Sequence, residues 1–361
     1  MADAQTNTIV MNINNRQYSQ FKEVSITQSL DSIAGSFEAV IANEVISKLS
    51  VKMFDTVEIL VNGFGVLYGY INNTNPSYST SSHDVNISGF DQTIDVVECS
   101  INTTVTYNGP ITLIDLISKI LDDSKINSNI LVSYQKGIEK ISYNKDEIVA
   151  AESGESIFDY IDRIARKKQC LLSHNNKGNI VIYRIAGLDI GAEIRNEAGK
   201  NNNDFILSAG ATYDYSRRFR GIVVISQTQK GNDIMGWARD NGARDNRIKA
   251  IISDSAVDLE TAQKIATWEV NKRRSDSVQY SCRLQGFWAT KDKIWQPNQL
   301  VNIYDDFADI NGKMLLRDVT YNLSDNEGST VDLTFVSPDS YSLQLTDPNA
   351  KYNKTGDNIK R

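Results

Sequence analysis

"VSITQSLDSIAGSFEAVI", residues 24–41, is the stretch from which the rest of the chain can be read. Val24 and Ile26 alternate with Ser25 and Thr27, and Phe37, Ala39 and Ile41 alternate with Ser36, Glu38 and Val40. That period of two predicts two half-buried strands. Between them lies a compact joint, Asp31-Ser32-Ile33-Ala34-Gly35-Ser36. It carries no nucleophile beside a base and no set of metal ligands, so its specification points to structure, not chemistry.

The same alternation dominates residues 8–105. "DTVEILVNG" (55–63) precedes "VLYGYINNTNPSYSTSSHDVNISGF" (66–90), which reads as strand, polar tip "NNTNPSYSTSSH", strand. "NGFG" at 62–65 is a glycine pair in a turn, not a phosphate loop. The grammar then changes. "TLIDLISKILDD" begins with Thr112 and Asp115 at capping-box spacing and places Leu113, Leu116, Ile117, Ile120 and Leu121 on one helical face. "GESIFDYIDRIARKK" repeats the device with Ser156 and Asp159, and "CLLSHNNKGNIVIYR" reads as a hairpin turning at Asn175 to Gly178. Strands return from Phe205, interrupted by the helix pattern "DLETAQKIATWEVNKRR". Val57-Glu58-Ile59, Leu67, Ile71 and Val85-Asn86-Ile87 find counterparts in Val301-Asn302-Ile303, Leu315, Val319 and Val331-Asp332-Leu333, which suggests two related β modules. The expected division is a β module over 1–105, an inserted α+β domain over 106–200, a second β module over 201–340 and a flexible tail over 341–361. The fold class is α+β, mainly antiparallel β.

The 361 residues carry a formal net charge of −7, which disfavours a general nucleic-acid-binding surface while permitting a passage that does not hold DNA. No run of apolar residues is long enough for a transmembrane helix, and the N-terminus lacks the pattern of a signal peptide. Cys99, Cys170 and Cys282 are far apart and read as small buried hydrophobes. His83 and His174 lie in polar, turn-like sequence and read as surface histidines. Acidic pairs such as Asp122-Asp123 and Asp305-Asp306 fit solvated turns better than acid–base catalysis. No catalytic constellation, metal site or cofactor is expected. "YDYSRRFRG" (213–221) is the densest basic-aromatic stretch; Arg217, Arg218 and Arg220 could touch nucleic acid or, more simply, form interface ion pairs. Trp237, in "DIMGWARDNGARDNR", reads as part of a long loop at a subunit contact, with a buried core tryptophan as the competing reading.

"FKEVSITQSLDSIAGSFEAVI", "VEILVNGFGVLYGYINNTNPSYSTSSHDVNISGFDQTIDVVECS", "TLIDLISKIL", "SGESIFDYIDRIARKKQCLL" and "YDYSRRFRGIVV" together resemble, in order, the baseplate hub proteins of Mu-type contractile phages, the late control D family. Phe90 stands where an arginine is expected, and the C-terminal third matches by pattern only. The resemblance implies a non-enzymatic virion protein assembled in the host cytoplasm. It implies a homotrimer with two tail-tube-like β-barrels per chain, seated between a hexameric tail tube and a trimeric spike around a DNA exit channel. Tape measure and baseplate wedge proteins are further implied partners. Under it, Asp31 and Gly35 set the start of a barrel strand, Gly35 by allowing a turn. The alternatives are the hub of a DNA-free injection device (a tailocin or a secretion-type spike base) and a host-glycan-binding tail protein.

Overall fold

In the computed structural model the structure describes residues 7–42, 51–80, 83–102, 105–126, 129–144, 148, 150–168, 170–183, 187–227, 233–252 and 259–341. The first β region forms β1 (Ile9–Ile13), β2 (Arg16–Tyr18), β3 (Glu23–Ser29), β4 (Ser36–Ala42), β5 (Thr56–Val61), β6 (Phe64–Tyr78) and β7 (His83–Asp91). Asn62 and Gly63, at φ 51° and 81°, make the tight turn between β5 and β6 that Asn-Gly favours. The predicted polar tip is shorter than expected. Residues 73–78 continue β6, because each is paired in register with β7, from Asn73 opposite Ser88 to Tyr78 opposite His83. Their polarity reflects a strand exposed to solvent, not a turn.

The inserted unit contains α1 (Ile94–Glu98), β8 (Ile111–Thr112), α2 (Leu113–Asp123), β9 (Val132–Tyr134), β10 (Ser142–Tyr143), α3 (Ile157–Lys167), β11 (Leu171–His174) and β12 (Ile180–Tyr183). Both predicted caps form: the Asp115 N–H donates to Thr112 Oγ1 at 3.1 Å and the Asp159 N–H to Ser156 Oγ at 3.0 Å. The helical stripe Leu113, Leu116, Ile117, Ile120 and Leu121 is buried against Tyr160, Ile161 and Ile164 of α3. Then follow β13 (Leu188–Asn196), β14 (Ile206–Tyr213), β15 (Gly221–Gln227), β16 (Asp233–Arg239), β17 (Ile248–Ile252), α4 (Leu259–Ser275), β18 (Val278–Gln285), β19 (Gln299–Asp305), β20 (Ile310–Ser324) and β21 (Gly328–Val336), closed by a 3-10 turn at Pro338–Tyr341.

The architecture is mostly antiparallel β with few helices. One sheet runs β14-β18-β21-β20-β3-β4-β7-β6-β5-β1-β2, with β19 on β20 and β13 on β19. Within one chain it is open, its path ending at β14 and β2. The order β3-β4-β7-β6-β5 is repeated by β14-β18-β21-β20-β19. The registers repeat with it. Ile59 faces Leu67 as Ile303 faces Gly312, Phe37 faces Gly89 as Tyr280 faces Phe335, and Thr27 faces Ser36 as Thr212 faces Gln279. Even the bulge recurs: Ile71–Gly89 gives way to Asn73–Ser88, and Leu316–Phe335 to Asp318–Thr334. Leu67 thus corresponds to Gly312 and Ile71 to Leu316. The equal spacing of Leu67–Ile71 and Leu315–Val319 in the sequence matched residues three positions out of step.

The two sets share one core. Val24, Ile26, Phe37, Val57, Ile59 and Ile87 lie in the same cluster as Tyr280, Leu284, Val301, Ile303, Tyr321 and Phe335. The joint between β3 and β4 leaves that core. Leu30 packs with Leu171, Tyr183, Leu315 and Val336, and Ile33 enters the core of the inserted unit with Val96, Leu116 and Ile161. Gly35 does not have a positive φ, which corrects the expectation of a special turn there. A Cβ on it would lie 3.1 Å from the Thr27 carbonyl and 3.4 Å from Leu67 Cδ1, so close approach to β3 is the constraint. Tyr341 also departs from the expected tail: its hydroxyl donates to Asp31 Oδ1. Residues 342–361 lie outside the described residues.

Ile33 is 1% exposed, and its side chain links the joint to the inserted unit's core. Ile33→Ala is expected to destabilise the chain by about 2–5 kcal/mol. Denaturant unfolding should show the loss. A change within error would mean the unit docks without it.

Candidate functional site

The junction of the two strand sets is the most specified part of the sheet. β3 pairs with the second half of β20 from Glu23–Ser324 to Ser29–Asp318, while the first half of β20 pairs with β19. The bulge at Arg317 separates the two halves, and the Arg317 carbonyl accepts the Leu30 N–H at 3.0 Å. Across this seam the Thr27 and Thr320 hydroxyls lie 3.1 Å apart and Ser29 Oγ donates to Asp318 Oδ1 at 2.5 Å.

The two faces of the sheet differ in chemistry. One row, Leu284-Val331-Tyr321-Ile26-Phe37, is buried throughout. The adjacent row on the other face, Arg283-Asp332-Thr320-Thr27-Ser36, is polar and partly exposed. The next polar row passes through Asn322, Ser25, Glu38 and Ser88. Arg283 is not a free cation there. It forks onto Asp332 at 2.7 and 3.0 Å, and Asn322 Nδ2 donates to the same carboxylate. The face is therefore hydroxyl- and amide-rich, with Glu23 and Glu38 as exposed acids. Such a wall can hydrate and repel a phosphate backbone and offers few cations to bind it.

A polar clamp holds the joint. The Asp91 N–H donates to the Gly35 carbonyl at 2.9 Å, and the Thr93 hydroxyl donates to the Ile33 carbonyl. Asp91 Oδ1 accepts the Thr93 N–H at 3.0 Å, but its Oδ2 is buried without a hydrogen-bond partner among the described residues. Burial pushes the Asp91 carboxyl up to about 7, against the lowering effect of the Thr93 hydrogen bonds. Asp31 sits at the outer rim, near Arg317 and Tyr341.

The other residues singled out in the sequence lie elsewhere. Arg218 forks onto Asp240 at 2.8 and 3.0 Å in a nearly buried pair. Burial alone would raise the Asp240 carboxyl; the Arg218 hydrogen bonds and charge override it and hold the carboxyl low. Arg220 pairs with Asp245 at 3.2 Å, and Arg217 is exposed. Arg247 and Arg273 lie against the Phe219 ring, at 4.8 and 5.5 Å. Arg218 and Arg220 thus make their ion pairs inside their own chain. Trp237 is in β16, not in a long loop: it faces Val223 of β15, and its backbone exchanges hydrogen bonds with the Gln263 side chain of α4.

Two minor expectations change. Cys99 is exposed, unlike Cys170 and Cys282. His174 is half-buried with an enclosed Nδ1, and burial pushes its imidazole down to about 4, so it is neutral at physiological pH. Among the described residues no three His, Cys, Asp or Glu side chains are grouped to hold a metal ion, and no helix is long and apolar enough to cross a membrane.

Comparison with known proteins matches residues 8–91 to the N-terminal domain of the Mu phage baseplate assembly protein GpP-like group, and residues 258–344 to the fourth domain of the Mu phage baseplate assembly protein GpP. The baseplate hub protein gp44 of Escherichia phage Mu is 25% identical, over 98% of this chain and 93% of its own length. Among solved structures, the 43 kDa tail protein of prophage MuSo2 from Shewanella oneidensis has a TM-score of 0.79 at 21% identity, covering 93% of this chain and all of that one. A tail protein of Neisseria meningitidis MC58 gives 0.78 at 19% identity, over 93% and 98%. At these identities the two structures bear on the fold.

The Asp91 clamp has a pH signature. Well below the ordinary value of 3.8 the carboxyl is neutral in both folded and unfolded chains, and its stabilising contribution is complete. Between the ordinary value of 3.8 and about 7 the unfolded chain ionises first, so that contribution is lost as the pH rises. Asp91→Asn keeps an acceptor for Thr93 and cannot ionise. Its melting temperature relative to the parent chain should be higher at pH 8 than at pH 5. Equal differences at both pH values would show that Asp91 does not titrate in this way.

Proposed function

The chain carries the N-terminal and the fourth domains of the Mu-type baseplate assembly proteins, and from that premise we propose that it is the structural hub of a contractile phage tail. It acts as a homotrimeric ring that joins the hexameric tail tube to the trimeric spike and lines the channel through which DNA leaves. The observation that carries this reading is the repeated strand order with its repeated registers and bulge. Two equivalent units per chain give a ring of three chains six equivalent positions. A threefold object can then face a sixfold tube without unmatched contacts, and cyclic closure leaves no interface unsatisfied.

The polar face supports its assignment as the channel wall. Its rows of Ser, Thr and Asn with exposed Glu23 and Glu38 suit passage over capture. Closure of the strand sets into tube-like barrels belongs to the assembled ring, as does their division into the domains set out above. The joint at Asp31 and Gly35 holds the inserted unit against the ring. Arg217 and Trp237 are the remaining candidates for contact between subunits or with tape measure and wedge proteins. The role is mechanical, in the virion baseplate, after synthesis in the host cytoplasm; no catalysis is assigned.

A reconstruction of the particle without imposed symmetry tests this. Three chains per ring with six superposable units are expected, next to a sixfold tube on one side and a threefold spike on the other. Six chains in the ring, or units that do not superpose there, would overturn the reading. Particles of the same architecture that never contain DNA would assign the hub to a tailocin.

A further inference from the structure

The separate three-stranded sheet, β16-β15-β17, is apolar on both faces. On one face Ile222 and Val224 are buried against Ala262, Ala266 and Val270 of α4. On the other, Val223 lies between Trp237 and Ala250, and Ile225 between Met235 and Ile252. None of these six residues joins the chain's apolar clusters. Met235 is 58% exposed and Ile252 82%. A sheet with one wet face alternates apolar and polar residues, yet β15 reads Ile222, Val223, Val224, Ile225 without a break. That is the composition of a strand covered on both sides. Among the described residues nothing covers the second side. A contiguous exposed apolar patch of this kind marks a contact surface.

One end of this face carries charge. There Gly221 lies between Arg239 and Ile248. The Trp237 ring extends across Gly221, where a Cβ would come within 2.5 Å of it, and the Arg239 guanidinium lies 5.8 Å from the same ring. Gly221 therefore leaves room for the indole on the sheet. At this end β15 begins, β16 finishes and β17 begins. The segments that enter and leave there, 214–221 and 239–247, hold six arginines against three aspartates, in a chain whose net charge is −7. Asp240 and Asp245 are already engaged by Arg218 and Arg220. Arg239 and Arg244 are exposed and make no ion pair among the described residues.

We propose that this face docks an amphipathic helix of another protein, opposite α4, with carboxylates at the end that meets Arg239 and Arg244. The inference goes beyond the hub reading and uses it only to say where the partner is met. The apolar rows call for an apolar stripe, and the unpaired arginines call for acid. A nucleic acid would use the arginines and leave the apolar rows wet. A wholly apolar partner would cover the rows and leave the arginines unpaired. A helix with an acidic end satisfies both, and its own C-terminus, negative by the backbone dipole, suits the arginine end. Trp237 and Arg239 are residue types that carry a large share of binding energy where partners meet.

Photo-cross-linking tests this. The photoreactive residue p-benzoylphenylalanine replaces Ile252 or, separately, Met235 in the full chain. Irradiation is carried out in cells producing the tail and on purified particles, and mass spectrometry identifies the peptide captured. Both positions are expected to reach one segment of a different protein, with apolar residues at spacings of three and four and Asp or Glu at one end. Arg239→Glu with Arg244→Glu should lower that yield about tenfold or more. The melting temperature of the purified double variant should stay at the parent value, because neither arginine holds a carboxylate within the chain. Cross-links confined to a second copy, to the chain itself or to nucleic acid overturn the proposal, as does their absence from particles that contain the chain. A yield indifferent to the charge reversal overturns the acidic partner. The same helical segment captured in cells whose particles lack the chain keeps the docking surface and overturns the hub.

Discussion

The backbone ladder between β3 and the second half of β20 is the constraint on which the rest depends. It runs over seven opposed residues and joins two strand sets that would otherwise be separate sheets. β20 manages this because it is long and bulged. Its first half belongs to β19, and after Arg317 its second half belongs to β3, with β21 along its other side from Leu315 onward. The bulge lets one strand serve two partners, since an extra residue bends the strand and raises its twist locally. Continuous apolar rows on one side and polar rows on the other then follow from the period of two, because a slip of one residue would invert every side chain.

The inserted unit is attached where the sheet's own residues leave it. Leu30, just before the six-residue joint, and Ile33, within it, enter different clusters, one with Leu171, Tyr183, Leu315 and Val336, the other the α-helical core. Asp91 and Thr93 tie down its carbonyls. A buried carboxyl is a costly way to hold a loop, and an apolar contact of the same volume would be less sensitive to pH. What the carboxyl supplies is direction: Thr93 Oγ1 is placed by the same atom that Thr93 N–H reaches. In the second strand set the equivalent interval between β14 and β18 holds β15, β16, β17 and α4, braced by Arg218 and Asp240.

Much of this was legible in the sequence because it is local. Period-two alternation at Val24–Ile26 and Phe37–Ile41 and the caps at Thr112 and Ser156 depend on neighbours a few residues away. The existence of a repeat was legible from strand order, but its alignment was not. Leu67 and Leu315 look equivalent, yet register is set by turns and a bulge that leave no residue signature of their own. Residues 73–78 read as a tip because an exposed strand at an open edge has the composition of a loop. Arg218 read as an interface residue because Asp240, which it holds, is far along the chain and close only in space. The resemblance to Mu-type hubs named the role, and the seam itself had no sequence signal.

The seam also sets a clock. Thr27 and Thr320 are 293 residues apart, so β3 leaves the ribosome long before its partner is made. At about 5–20 residues per second the interval is roughly 15–60 s. During it the N-terminal strands and the inserted unit have everything they need for their own pairing, but the outer edge of β3 stays uncovered. Closing so long a loop adds little to its entropic cost, which grows only with the logarithm of length, but such distant contacts slow folding. Ser25, Thr27 and Ser29 along that edge face water comfortably in the meantime. A chain that waits for its last strands before its sheet is whole cannot present a finished sheet while still being synthesised.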